Sequence, residues 1–288
     1  MYRKKTVKAQ EDAISQVLHS EPEYTFIGDY GQNMEMPAFN KAQPGETYYY
    51  SPLSVSNFGL VDAAYINGEN EAEEHCHAHV YHAGVGKKGG DNVALLILKT
   101  LKDLNLLREN DPGGVLNIIF DNCTGQNKNN TGRHQLLLLL YYSSLTLCSD
   151  LHDSVLRLVP YLVECGYFKE VNFIFLVVGH TKNAADHLFN CLKELYRKEN
   201  IGTMDRLYEV LDTSSKVTVH PTVENDFHQY REFLDNYYRN LKGIIKTNHI
   251  FSCNIADAWE GNKFYMTVKE NDLDSATSVR VNMIKQNF

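Results

Sequence analysis

The feature that most constrains the fold is an apolar run that stops at an acid. Residues 115–120 read Val-Leu-Asn-Ile-Ile-Phe, and Asp121 then opens the polar segment Asp-Asn-Cys-Thr-Gly-Gln-Asn. A short run rich in β-branched and aromatic residues, bounded by a Gly-containing turn, predicts a buried strand. Because parallel-sheet enzymes place their chemistry at the carboxyl ends of strands, Asp121 is a candidate site residue.

Two other segments repeat this construction. Residues 24–28 read Tyr-Thr-Phe-Ile-Gly and lead into Asp29, which is followed by Tyr-Gly-Gln-Asn. Residues 171–178 form another strand candidate, which ends at a Gly-His-Thr turn and is followed by residues at helical spacing. On that predicted helix Asp186 falls in a polar stripe, in about the first turn.

Three carboxylates delivered by three different elements would repel one another unless a cation lay between them. Oxygen ligands of this kind suit Mg²⁺ or Mn²⁺, and such sites leave coordination positions for phosphate oxygens and water. The alternative for each acid alone is a purely structural role, because aspartate also caps strand ends and forms turns.

The order of these elements resembles the ribonuclease-H-like fold of transposases and retroviral integrases. In that fold strand one, strand four and a helix after strand five each carry an acid, here Asp29, Asp121 and Asp186. The chain also resembles an uncharacterised eukaryotic domain family of transposon-like proteins. Its D-x-C-x-G-Q-N-[KR]-N block is matched at residues 121–129, and its G-H-[ST]-x4-D block at residues 179–186. The resemblance covers about residues 21–255.

The resemblance implies an α/β fold with a ribonuclease-H-like mixed sheet and helices on both faces. It implies a DDD-type transposase or nuclease that cleaves and joins DNA phosphodiesters with two Mg²⁺ or Mn²⁺ ions. The three aspartates would be both the catalytic residues and the metal ligands. The residues that would bind substrate are Gln126, Asn127, Lys128, His180 and Lys182. Amide side chains that follow a strand also satisfy turn backbone groups, which is the structural alternative for Gln126 and Asn127.

The predicted organisation is an N-terminal helix at residues 1–20, a core at 21–215 and an α+β extension at 216–288. Within the core, residues 46–64 are expected to form one bent strand or a hairpin, 77–82 a third strand, and Asp91 to cap a helix that runs to about Leu107. Residues 132–154 form an anomalous insertion with five consecutive leucines. It is interpreted as part of the helix after strand four, as a surface hairpin or as a retained intron. Its apolar stretch is shorter than the roughly 20 residues that a membrane-spanning helix needs.

Charge and cysteine content limit the partners. The net charge of −8 argues against a large basic surface that holds duplex DNA by counterion release. Contact with DNA would then use local basic patches or a separate domain that preceded Met1 in a full-length element, and a homo-oligomer is compatible with this class. Six scattered cysteines without a C-x-x-C pair and the lack of an apolar leader favour an intracellular protein. The resemblance to transposases implies that it is nuclear.

Other hypotheses come from the same residues. One is a catalytically inactive, transposon-derived or domesticated module that binds protein or nucleic acid, and another is a metal-dependent nuclease with no part in transposition. His75, His77 and His79 alternate with other residues, which suits either a zinc site or one face of a half-exposed strand. Residues 84–90 form a turn that lacks the P-loop spacing, although Lys87 and Lys88 are placed to touch a nucleic-acid backbone.

Overall fold

The computed structural model describes residues 23–62, 75–108, 113–120, 154–176, 184–227, 230–239, 241, 249–270 and 278–285. The predicted N-terminal helix lies outside these ranges, as does the insertion apart from Ser154. The described residues divide between two compact units. Unit 1 takes Met1–Tyr24, Gly89–Thr181 and Gln229–Phe288, and unit 2 takes Thr25–Lys88 and Lys182–His228.

The described strands and helices alternate in the manner of an α/β protein. In chain order they are β1 (Glu23–Tyr30), β2 (Met34–Met36), β3 (Leu53–Asp62), β4 (Cys76–His82), α1 (Gly90–Asp103), β5 (Gly113–Phe120), α2 (Leu158–Glu164), β6 (Phe168–Phe175), α3 (Ala184–Lys198), α4 (Met204–Leu211), β7 (Val217–Pro221), α5 (Tyr230–Tyr237), β8 (Ile250–Asn254), α6 (Ile255–Ala258), β9 (Trp259–Glu260), β10 (Lys263–Lys269) and β11 (Val279–Asn282). None of these helices is both long and apolar enough to span a membrane, among the residues described.

Unit 2 is built on an antiparallel meander. Strand β3 pairs antiparallel with β1 on one side and with β4 on the other, and β7 adds a parallel partner to β4. The short β2 also pairs with β3, next to the end of β1. Helix α3 packs on β3, and α4 packs on β7. Seven consecutive buried residues in β3, 55–61, show that both faces of this strand are covered.

Unit 1 contains a parallel pair of strands of its own. Strands β5 and β6 run parallel, and β8, β10 and β11 continue outward from β6 in antiparallel pairs. Helix α2 packs on β6, β8 and β10. Residues 171–175 of β6 are all buried, as expected for a strand with both faces covered. Of the strands that the sequence assigned to a C-terminal extension, β8, β10 and β11 therefore continue the sheet of β6, whereas β7 pairs with β4.

The predicted fold class is confirmed: the chain is α/β with mixed parallel and antiparallel sheet, consistent with a ribonuclease-H-like fold. Of the two alternatives for residues 46–64, the single strand is the one observed, preceded by a 3-10 turn at Gly45–Tyr49. The predicted cap of α1 is wrong. Gly89 is the N-cap, so Asp91 lies in the first turn. The helix also stops before Leu107, because Asn105 takes a left-handed conformation with φ of 54°.

Candidate active site around Asp29

Asp29 is the one predicted metal ligand whose side chain the structure describes. It is the penultimate residue of β1, and it pairs with Gly59 of β3. The carboxylate is half-buried, and its Oδ1 accepts a hydrogen bond of 2.7 Å from the Tyr30 N–H. The predicted position at a strand end is therefore confirmed, and a backbone donor fixes the orientation of the carboxylate.

Two glycines open one face of the sheet beside Asp29. Residues i and i+2 of an extended chain lie on the same face, as do directly paired residues of neighbouring strands, so Gly31 and Gly59 lie on the face of Asp29. A Cβ added at Gly59 would be 2.8 Å from Phe189 Cε1, and one added at Gly31 would be 2.9 Å from Phe189 Cγ. The Phe189 ring therefore occupies the space that two side chains would fill.

This contact brings helix α3 onto the face of the sheet that carries Asp29. The Phe189 side chain is 8% exposed, and α3 packs on β3. Asp186 lies three positions before Phe189 in the same helix, and positions three apart are neighbours on a helix surface. The backbone of Asp186 is described, whereas its side chain lies outside the described part of the structure.

The other predicted site residues fall outside the described residues. Asp121 follows Phe120, the last residue of β5, and is not described. The same holds for the predicted substrate-binding residues, which are Gln126, Asn127, Lys128, His180 and Lys182. The structure thus brings together the elements of two of the three acids, and the position of Asp121 stays a prediction.

A lysine and two tyrosines lie at Tyr30, the residue after Asp29, which faces the opposite side of β1. Lys88 Nζ lies 4.7 Å from the centroid of the Tyr30 ring and 3.5 Å from the Gly31 carbonyl oxygen. The Tyr30 hydroxyl is 2.9 Å from the Tyr81 hydroxyl. Sequence reasoning placed Lys88 near a nucleic-acid backbone but gave no role to Tyr30, because nothing local to β1 signals that a lysine 58 positions later will lie over its ring.

Burial sets the protonation of this cluster. Burial is the main cause that raises the pKa of Tyr30, and the nearby Tyr81 adds to it. Burial also raises the pKa of Tyr81, so both phenols stay protonated at neutral pH. The pKa of Lys88 is lowered by burial and raised in part by the carboxylate of Asp29. These opposing causes indicate an ammonium that is partly removed from water beside an acid.

A metal centre requires several ligand side chains around one point. Asp29 supplies an oxygen ligand, which suits Mg²⁺ or Mn²⁺. Among the described residues, however, no group of three or more His, Cys, Asp and Glu side chains could hold a metal ion. A metal centre here therefore depends on the side chains of Asp121 and Asp186.

His77 and His79 of β4, together with His75 just before it, form a packed cluster with His220 of β7. His77 Nδ1 is 3.3 Å from His220 Nε2, and the ring of His79 stacks on His220 at 4.9 Å. His75 Nε2 is 2.7 Å from the Thr218 hydroxyl. The part of the chain that the structure describes shows no metal-ligand grouping here, so the zinc hypothesis has no geometric support and the cluster links β4 to β7.

Comparison with known proteins gives one match. Residues 152–271 match the family model described as Domain of unknown function (DUF7869). The matched region includes Asp186 and begins after Asp29 and Asp121. Neither a curated protein nor a solved structure matches the chain.

Proposed function

We propose that this chain is a metal-dependent phosphodiesterase of the transposase type, which cleaves DNA and joins its ends with Asp29, Asp121 and Asp186. The observation that carries the proposal is the seating of Phe189 on Gly31 and Gly59. Only the Phe189 ring, packed directly on the two glycines, separates the helix of Asp186 from the face of Asp29 at this point. Two acids that are far apart in sequence thereby belong to neighbouring elements of unit 2.

The absence of a Cβ at Gly31 and Gly59 lets α3 approach β1 and β3 closely, as a site shared by Asp29 and Asp186 requires. Catalytic groups must be held to within a fraction of an ångström, and a displacement of about 1 Å can cost on the order of 100-fold in rate. A larger residue at either position would push Phe189, and with it the start of α3, away from β1. The packing therefore supports the proposal that Asp29 and Asp186 act together in one site.

The roles of the residues follow from the resemblance. Asp121 would lie closest to both ions, Asp29 would share that role from β1, and Asp186 would hold the second ion. When bound, two such ions activate a water or 3′-hydroxyl nucleophile and stabilise the leaving oxygen. The protein supplies orientation: the Tyr30 N–H holds Oδ1 of Asp29, and Phe189 fixes α3.

Substrate and setting are part of the proposal. We place the protein in the nucleus, with DNA as substrate, reached through local cations or a further domain, and with a homo-oligomer as the form that would hold two DNA ends. A nuclease with no part in transposition would share the chemistry and give cleavage without strand joining. An inactive binding module is favoured by the net charge of −8 and would give neither reaction.

The test is Mn²⁺-dependent cleavage of a labelled DNA duplex by the full chain. Asp29→Asn, Asp121→Asn and Asp186→Asn should each lower the rate by roughly 100-fold or more, because each removes a ligand charge and keeps side-chain shape. Asp212→Asn, an exposed aspartate that caps the end of α4, is the matched control and should leave the rate unchanged. A version without residues 132–154 is assayed in parallel, because this insertion follows the Asp121 block closely.

Metal binding is measured separately from cleavage. A cation that binds only the folded protein stabilises it by about 2.7 kcal/mol at 100 times its Kd. Mn²⁺ should therefore raise the Tm of the wild type and of Asp212→Asn, and should raise that of Asp121→Asn less. Cleavage that survives Asp121→Asn would refute the three-aspartate mechanism. A wild type that neither cleaves DNA nor is stabilised by Mn²⁺ would favour the inactive module.

A further inference from the structure

The ammonium of Lys88 is held at a defined place over Tyr30, the residue that follows Asp29 in β1. Its Nζ lies 4.7 Å from the centre of the Tyr30 ring, which is the range of a cation–π contact. Its one hydrogen-bond acceptor among the described residues is the Gly31 carbonyl oxygen at 3.5 Å, a long separation for such a bond. Lys88 as a residue is exposed, so an incoming ligand reaches it.

The ring under Lys88 is itself fixed in place. The Tyr30 hydroxyl is 2.9 Å from the Tyr81 hydroxyl, and the Tyr30 ring packs on Phe58 with 5.0 Å between centroids. Tyr81 is fully buried and packs edge-on against Phe227 at 5.2 Å. A long, flexible side chain thus rests on a rigid aromatic support, which lowers the entropy lost when the ammonium binds a ligand.

The donor count of the ammonium indicates an anionic ligand. A lysine ammonium has three N–H donors, and here the ring face and one long hydrogen bond engage only part of that capacity. An oxyanion placed above Lys88 would complete its hydrogen bonds. The oxyanion that belongs next to an acid of a phosphodiesterase site is a phosphate of the nucleic-acid backbone.

We propose that Lys88 is a phosphate-binding residue, which takes a non-bridging oxygen of the DNA backbone next to Asp29 while Tyr30 holds its ammonium in place. The identity of the ligand rests on the proposed function, whereas the contact itself does not require that the protein cleave DNA. A purely structural role, in which Lys88 only offsets the charge of Asp29, makes a different prediction: its loss would change stability and leave DNA binding unaltered.

The net charge of −8 makes this contact easy to detect. Each phosphate that a protein neutralises contributes about −0.9 to the slope of log K against log salt for duplex DNA. The loss of one contact is a larger fraction of a small slope than of a large one, and the net charge of −8 argues against a large basic surface. A strongly basic protein would hide the same change.

The experiment is fluorescence anisotropy of a labelled DNA duplex over a series of KCl concentrations, with EDTA present so that cleavage plays no part. Lys88→Met should reduce the magnitude of the salt slope by about 0.9 and weaken binding about tenfold at low salt. Lys88→Arg keeps the charge and should retain the slope. Lys216→Met, an exposed lysine elsewhere in unit 2, is the matched control, and its change should be clearly smaller.

A second pair of variants tests the aromatic support. Tyr30→Leu removes the ring and should weaken binding, although Lys88 keeps its charge, whereas Tyr30→Phe keeps the ring and should bind nearly as the wild type. Far-UV circular dichroism and Tm establish that each variant is folded. If Tyr30→Leu binds DNA as tightly as Tyr30→Phe, the Tyr30 ring does not help Lys88 to bind phosphate.

The outcomes separate this inference from the proposed reaction. A wild type that does not bind the duplex at low salt, or a Lys88→Met variant with the wild-type slope, would overturn the assignment of Lys88. Binding that depends on Lys88, without any Mn²⁺-dependent cleavage, would uphold Lys88 and refute the reaction. Cleavage that depends on the aspartates but not on Lys88 would uphold the reaction and refute the role of Lys88.

Discussion

Replacement of Gly59 by alanine tests whether the close approach of α3 to β3 holds the candidate site together. The new Cβ would be 2.8 Å from Phe189 Cε1, 2.9 Å from Cζ and 3.0 Å from Cys76 Sγ. Carbon atoms pack best at about 3.5–4.0 Å, so the ring must retreat by roughly 0.7 Å or more. The ring is 8% exposed and has close-packed surroundings, so this movement shifts α3 as well.

The expected cost follows from these distances. Overpacking of a well-packed core costs about 1–3 kcal/mol. The gain from a less flexible unfolded chain offsets about 0.4–1 kcal/mol of this for Gly→Ala. We therefore expect Gly59→Ala to lower the free energy of unfolding by about 1–2 kcal/mol. Gly202→Ala is the control, because a Cβ there meets nothing within 4 Å, and it should change stability by less than about 0.5 kcal/mol.

The double variant identifies the cause. Phe189→Leu removes ring atoms from the clash, so Gly59→Ala should cost less in its presence, with a coupling energy of about 1 kcal/mol or more. The measurement is urea unfolding followed by far-UV circular dichroism, with an unchanged m-value as the test of a like-for-like comparison. If Gly59→Ala is as stable as Gly202→Ala, or if the two changes are additive within about 0.5 kcal/mol, the inferred contact is refuted.

Three further predictions concern buried groups. Arg157, whose side chain is 2% exposed, pairs with Asp235, whose side chain is 47% exposed. We expect Asp235→Asn to lower the free energy of unfolding in urea more than Arg157→Met, because Asp235→Asn leaves a charged guanidinium buried beside a neutral amide. The opposite order of the two variants would contradict this expectation. Burial raises the pKa of Cys76 from 9.0 to about 12. The contribution of its neutral thiol to stability is therefore complete below pH 9 and is lost as the pH rises towards 12. Between these pH values the urea midpoint of Cys76→Ala should fall less steeply than that of the wild type, and equal declines would refute the reasoning. Tyr238→Phe removes a hydroxyl that donates to Glu164 Oε2 at 2.5 Å, and it should lower the free energy of unfolding by about 1.5–3 kcal/mol in the same assay. A negligible change would show that this hydrogen bond is absent in solution.

The sequence by itself determined the local elements and where their acids fall. The alternating residues of β4 and the apolar runs of β5 and β6 identify strands, because strand patterns lie in successive residues. The half-exposed face expected for β4 is nevertheless wrong, since residues 76–81 are all buried. The helical period after residue 181 likewise identifies α3 and places Asp186 near its start. Asp29 at the end of β1 is readable for the same local reason.

Only the tertiary structure decided which elements meet. That Phe189 would rest on Gly31 and Gly59, or that Lys88 would lie over Tyr30, depends on contacts between residues far apart in the chain. The contact of His220 with His77 is likewise between distant residues. So is the pairing of β8, from the predicted C-terminal extension, with β6 of unit 1. A local pattern specifies that a face is buried, whereas the register and packing of long-range partners specify what buries it.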